Sequence, residues 1–148
     1  MIRNIWILLG AIICQLSMMG PALADPSFEL TVTVSGAAPG SGQILATLFN
    51  SSESYMSEPY REESAPVDDA GISTVVFGEL PAAAYAVSIV YDRDLDGELG
   101  TNIVGIPTEA FGFSNNTVAF FGPPKWQATS FALRGDLKID IELDTTDQ

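Results

Sequence analysis

The sequence predicts an all-β domain, a single sandwich of about seven strands. Three observations carry the prediction. Six or seven short segments are β-branched or alternate apolar with polar residues, glycine and proline punctuate the intervals, and nowhere does a 3.6-residue period last three turns.

Ahead of the domain, Arg3 gives a positive start and Ile5 to Leu16 is mostly apolar. Ala22 and Ala24 then form an A-x-A-like cleavage signal before Asp25. The apolar run is shorter than the roughly 20 residues that span a bilayer, and Gly20-Pro21 interrupts its end. Residues 1–24 are therefore expected to be a signal peptide and 25–148 an exported β-sandwich domain, periplasmic or extracellular, with no membrane span in the mature chain. Cys14 is the single cysteine and would leave with the signal, so the domain must be held by its core, helped by any bound ion.

Phe28 to Val34 alternates apolar and polar residues and predicts the first strand, and Gln43 to Phe49 predicts the second. The glycine- and proline-bearing stretch from Ser35 to Gly42 between them suits a long hairpin loop. Asn50 to Ala70 is acidic and reads as a connection with a helical turn near Ser54–Met56. Gly71 to Phe77 and Ala84 to Tyr91 follow as strands on either side of a Leu80-Pro81 turn. The second of these is nearly continuously apolar, which suits a central strand. Ile103 to Gln127 is irregular, with a short strand expected at Thr117 to Phe121. Ser130 to Leu133 and Leu137 to Leu143 complete the set around an Arg134-Gly135-Asp136 turn.

The formal charge is −13. Nucleic acid and anionic membrane would be repelled by such a chain; cations and basic partners would be drawn to it. Histidine is absent, which excludes Ser-His-Asp and Cys-His catalysis. No nucleophile–base pair or cofactor motif is visible, and the chain is read as having no catalytic residues.

The sharpest chemical signal is Tyr91 to Asn102. Asp92, Asp94, Asp96 and Gly97 occupy the first, third, fifth and sixth positions of an EF-hand loop, and the carbonyl of Glu98 the seventh. The ninth position is Gly100 and the twelfth Ile103, so the full motif fails and only its first half survives. Alternate carboxylates can turn together onto one hard cation, and oxygen-only ligands select Ca²⁺ over Zn²⁺. The expected structural calcium site is Asp92, Asp94, Asp96 and Glu98, completed by Asn102, Glu109, water or the Asn115-Asn116 pair. The competing reading is a solvated acidic turn in which Asp and Gly merely suit the geometry.

The chain also resembles a known family. Leu80-Pro81, Tyr85-Ala86-Val87, Asp92-x-Asp94-x-Asp96-Gly97, Thr101-Asn102, Gly105-Ile106-Pro107, Glu109, Gly112-Phe113-Ser114-Asn115-Asn116 and Gly122-Pro123-Pro124 occur in the order found in the exported bacterial family catalogued as domain of unknown function 2141. The resemblance implies an immunoglobulin-like or transthyretin-like sandwich and brings no established activity. This chain departs from the family at Ala82-Ala83-Ala84, where glycine often follows Leu-Pro, and at Gly100, where an acidic residue is common. A glycine-requiring turn would strain those alanines.

A second candidate site is the aromatic loop. Phe111, Phe113, Phe121 and Trp126, with Asn115 and Asn116, have the rings and amides of a glycan- or peptide-recognition surface; alternatively the rings close one end of the core. The reading as a whole is a non-catalytic envelope interaction module with structural calcium, its partner a glycan or an envelope protein. The alternatives are a carbohydrate-active enzyme using acidic residues and a purely structural envelope domain without an ion.

Overall fold

The computed structural model describes residues 26–97, 100 and 108–144. The expected signal peptide lies outside these residues.

Among these residues eight strands form two packed sheets: β1 (Ser27–Ser35), β2 (Gln43–Phe49), β3 (Arg61–Pro66), β4 (Ile72–Pro81), β5 (Ala83–Asp92), β6 (Phe111–Phe113), β7 (Phe131–Leu133) and β8 (Leu137–Glu142). One sheet has the order β4-β1-β8; the other runs β3-β2-β5-β6, with β7 also on β5. Among the described residues the only α-helix is one turn, α1 (Trp126–Thr129). None there is long and apolar enough to cross a membrane.

The alternation read in the sequence becomes the two faces of β1: Leu30, Val32 and Val34 are fully buried, whereas Thr31 and Thr33 are only half-buried. Across the sandwich, Ile44, Leu48, Val87 and Ile89 meet this face, with Phe77 and Leu133 closing around them. Burying each such side chain is worth about 1.5–3 kcal/mol, which is how a domain without a disulfide holds together.

Three expectations about strands are corrected. β1 and β2 do not form a hairpin: β1 pairs antiparallel with β4 and parallel with β8, whereas β2 pairs with β3 and β5. The intervening loop carries the chain from one sheet to the other, turning on Gly36, Gly40 and Gly42, all at positive φ. The acidic connection contains β3, an edge strand with Glu62, Glu63 and Pro66 exposed. Such an edge has no apolar face to alternate, so periodicity could not reveal it. The short strand expected at Thr117 to Phe121 is absent, its place taken by β6 at Phe111–Phe113. The turn near Ser54 is present: Ser54 carbonyl accepts from the backbone N–H groups of Ser57 and Glu58.

Central placement of β5 is observed, with β2 on one side and β6 and β7 sharing the other. β7 covers Ala83 to Tyr85 and β6 covers Ser88 to Val90, leaving Val87 in the gap. There Ser114 Oγ, fully buried, accepts from the Val87 N–H at 2.9 Å and donates to the Thr129 carbonyl at 2.7 Å. One hydroxyl replaces a missing stretch of strand. At the start of β5 the Tyr85 hydroxyl donates to the Pro81 carbonyl at 2.9 Å, the corner contact of immunoglobulin-like sandwiches. The positive φ in this turn falls on Glu79, at 54°, and Ala82 to Ala84 carry none, so no strain arises there.

Candidate functional site

β5 ends in Asp92, and its rigidity is what aims the acidic loop. Asp92 stands opposite Gln43 in the β2–β5 register. That pairing lets Gln43 Nε2 donate to Asp92 Oδ2 at 2.7 Å. The chain then curls back on left-handed residues at Leu95 and Gly97, with φ of 64° and 81°. The curl brings the Gly97 N–H to Asp92 Oδ2 at 3.1 Å and the Asp96 N–H to Asp92 Oδ1 at 3.2 Å. Asp94 Oδ1 also accepts from the Asp96 N–H, at 3.3 Å.

Asp92 is fully buried while Asp94 and Asp96 are exposed. Burial pushes the Asp92 carboxyl up, but hydrogen bonds from Gln43 and from the Gly97, Leu95 and Asp96 backbone outweigh it and hold the group below its ordinary value. The group is therefore ionised at neutral pH. A carboxylate has about four lone-pair positions, and the bonds from Gln43, Gly97 and Asp96, with the Leu95 backbone beside them, already engage most of them.

One carboxylate oxygen from each of Asp92, Asp94 and Asp96 lies within 4.8 Å of the other two. At 4.8 Å a pair of unit charges in water repels by roughly 1 kcal/mol. Repulsion of that size does not prevent the loop from forming, and a divalent cation bound among the three would remove it. The donor set, all oxygen and all anionic, fits a hard cation.

The remaining expected ligands are placed differently. Glu98 and Asn102 lie outside the described residues. Glu109 is not in the three-carboxylate group: its Oε1 accepts from the Arg93 N–H at 3.1 Å and its Oε2 from the Gly100 N–H at 2.9 Å. With the Thr108 N–H donating to the Gly100 carbonyl at 2.9 Å, Glu109 ties together the base of the excursion that follows the loop. A Cβ at Gly100 would sit 2.8 Å from Thr108 Oγ1 and 3.5 Å from Glu109 Oε2. The departure at Gly100 thus leaves room for the Thr108 hydroxyl, while the Glu109 carboxylate lies at ordinary contact distance.

Sequence reasoning missed Gln43 and Gly42. A Cβ on Gly42, whose φ is 72°, would meet the Asp92 carbonyl at 2.6 Å. Only strand register could have flagged either, because both lie about fifty residues upstream of the loop.

The aromatic loop divides in two. Phe113 is buried and Phe111 partly so, their rings edge-to-face at 5.9 Å. Trp126 packs edge-on against Tyr55, which packs against Phe49. By contrast, Phe120 is 83% and Phe121 fully exposed, stacked edge-to-face at 4.7 Å. Both asparagine amides are engaged on backbone. Asn115 Nδ2 donates to the Ala128 and Ser130 carbonyls, while Asn116 accepts from the Glu142 N–H at 2.9 Å and donates to the Asp140 carbonyl at 3.4 Å. Asn116 therefore pairs with the free edge of β8 as a strand would, and the Asn115-Asn116 pair fastens the loop to the sandwich. A depression of about 340 Å³ lies beside this fastening, lined by Phe111, Phe113, Asn116, Val118, Leu143 and Asp144 among others.

Among solved structures, the major plantain pollen allergen Pla l 1 is similar at 11% identity and a TM-score of 0.30, with 83% of this chain and 98% of that chain covered. No curated protein matches. The model of a family described as "Uncharacterized protein conserved in bacteria (DUF2141)" matches residues 32–141. With that match spanning both sheets and the acidic loop, the chain belongs to the DUF2141 family.

Proposed function

We propose that this chain is an exported, acidic β-sandwich that works as an interaction module of the cell envelope, without catalysis, and that Asp92, Asp94 and Asp96 hold a structural calcium ion. The observation that carries the ion is the convergence of three carboxylates within 4.8 Å at the end of the central strand. Asp92 contributes a pre-ionised, immobile oxygen, and Asp94 and Asp96 contribute exposed ones that turn inward at little cost. For an extracellular module a dissociation constant on the order of 10⁻⁴–10⁻³ M is expected. Export rests on Arg3, the apolar run and the Ala22/Ala24 cleavage signal. Recognition of a glycan or envelope protein rests on the exposed Phe120–Phe121 pair, since rings left in water on an otherwise acidic surface are suited to stacking.

A second reading has its own observation. Asp92 already accepts three hydrogen bonds from Gln43, Asp96 and Gly97, so the turn is satisfied without an ion. The domain would then be purely structural. Thermal melting of the protein in calcium, magnesium and chelator separates the two. Calcium at a hundredfold excess over its dissociation constant adds about 2.7 kcal/mol, and a midpoint identical in all three conditions would leave the second reading standing.

A further inference from the structure

The two edge strands on one side of the sandwich are treated differently by the sequence. β3 carries Arg61, Glu62, Glu63 and Pro66, the charges and proline with which sheet edges are ordinarily blunted. β4, at the edge of the other sheet, opens with Ile72-Ser73-Thr74-Val75-Val76-Phe77-Gly78, seven residues with neither charge nor proline; Glu79 and Pro81 come only at its far end. A long, β-branched, neutral edge is the pattern that accepts another strand.

The hydrogen bonds fix which of its backbone groups point outward. Ile72 donates its N–H to Asp68 Oδ1 at 2.9 Å and accepts from the Asp68 N–H at 2.8 Å, away from β1. Its register partner Ser35 likewise turns toward β8, its carbonyl accepting from the Leu143 N–H. The pairing then runs without a shift from Ser35↔Ile72 to Leu30↔Phe77. Antiparallel alternation therefore turns the N–H and C=O of Thr74 and Val76 outward as well. Asp68 closes one end of this window. Arg61 Nη1 closes the other, donating to the Gly78 carbonyl. Among the described residues no strand pairs with β4 between them. On the adjoining sheet face, Ile72 and Val76 are 38% and 45% exposed and offer apolar cover to a neighbour's side chains.

Charge decides what fits. Exposed Asp68 and Asp69 flank the window at one end and Glu79 at the other, with Glu62 and Glu63 on adjacent β3. The single Arg61 leaves that surround acidic. A second copy apposed edge to edge would double these carboxylates across the seam, whereas a cationic segment would neutralise them. We propose that the outer edge of β4 at Thr74–Val76 is a strand-addition site for an extended segment of a partner protein, neutral and β-branched at its centre with lysine or arginine at its ends. The proposal deepens the interaction-module reading and does not involve the acidic loop.

The test uses the full chain in chelator, so that calcium occupancy has no part in it, and a blocked hexapeptide, Lys-Val-Thr-Val-Thr-Lys. Hydrogen exchange at the Thr74 and Val76 amides should slow at least tenfold with saturating peptide, and the same peptide ending in glutamates should protect neither. Val76→Lys, which puts a like charge on an exposed position, should weaken binding at least fivefold. Thr74→Pro, which removes the outward donor, should abolish protection at Val76. Absence of protection, protection elsewhere in the fold, equal binding of the glutamate peptide, or unchanged binding to Val76→Lys overturns the proposal. Protection that rises with protein concentration alone, without peptide, also overturns it and names a second copy as the occupant. A failed peptide experiment leaves the calcium-dependent melting shift to be judged on its own.

Discussion

Replacing Asp92 and Asp94 in turn distinguishes what the acidic loop owes to hydrogen bonds from what it owes to an ion. Asp92→Ala removes a buried carboxylate that accepts from Gln43 Nε2 and from the Asp96 and Gly97 N–H groups. A hydrogen bond to a charged group contributes about 1.5–3 kcal/mol, but the three donors lie at the loop's edge, where water can reach some of them once the side chain is gone. A net loss of about 3 kcal/mol is therefore expected, which for a domain of this size lowers the melting midpoint by roughly 12 °C. Asp94→Ala loses only one long contact, 3.3 Å from the Asp96 N–H, and relieves a repulsion, so its midpoint in chelator should stay within about 2 °C of the parent. Calcium changes the comparison. The parent should gain about 2.7 kcal/mol at a hundredfold excess, and both variants should gain little, since each has lost one of three carboxylates. The assay is a thermal melt followed by circular dichroism in chelator and in calcium. If Asp92→Ala melts with the parent in chelator, the hydrogen-bond account of the loop is wrong. If Asp94→Ala keeps the full calcium increment, the ion is not held where the three carboxylates meet.

Three further outcomes follow from the same geometry. Ser114→Ala leaves the buried Val87 N–H without a partner and should cost about 1–3 kcal/mol in urea unfolding with an unchanged slope. Tyr85→Phe removes the bond to the Pro81 carbonyl while keeping the buried ring, so a loss of about 1 kcal/mol is expected, far less than Tyr85→Ala. The folded-state pKa of Asp92 lies below its unfolded value, so its contribution is complete above about pH 4 and is lost as pH falls through the folded pKa. The acid limb of a stability–pH curve should accordingly be shallower in Asp92→Asn than in the parent.

How much could be read in advance differs from element to element. The strands that bury a face, β1, β2, β4, β5 and β8, declare themselves by alternation or by a β-branched run, because burial on one side is what writes that pattern. β3 declares nothing, since one face is exposed and the other meets the core only through the small Ala65. β6 is hidden because its three residues, Phe111-Gly112-Phe113, sit inside a stretch rich in glycine and proline that reads as irregular, whereas the equally short β7 is set off by the turn that follows it. The carboxylate cluster was legible because its spacing is local, whereas Gln43 was not, because it is brought to Asp92 by register across two strands distant in sequence. The Asn115-Asn116 pair was legible as polar and conspicuous, yet its work could be seen only once β8 stood next to it.

The sequence by itself determined the class of fold, the two faces of the core strands and the clustering of three carboxylates on one turn, all consequences of what neighbours in the chain can do. The tertiary structure decided which strands pair, that β1 and β2 part into different sheets, and that Asp92 is held ionised by a glutamine from β2. It also decided that Glu109 secures the loop backbone and that, among the described residues, no strand pairs with the outer edge of β4. These depend on distances between residues far apart along the chain, which are set by how the two sheets pack and in what register, and no local pattern of side chains encodes them.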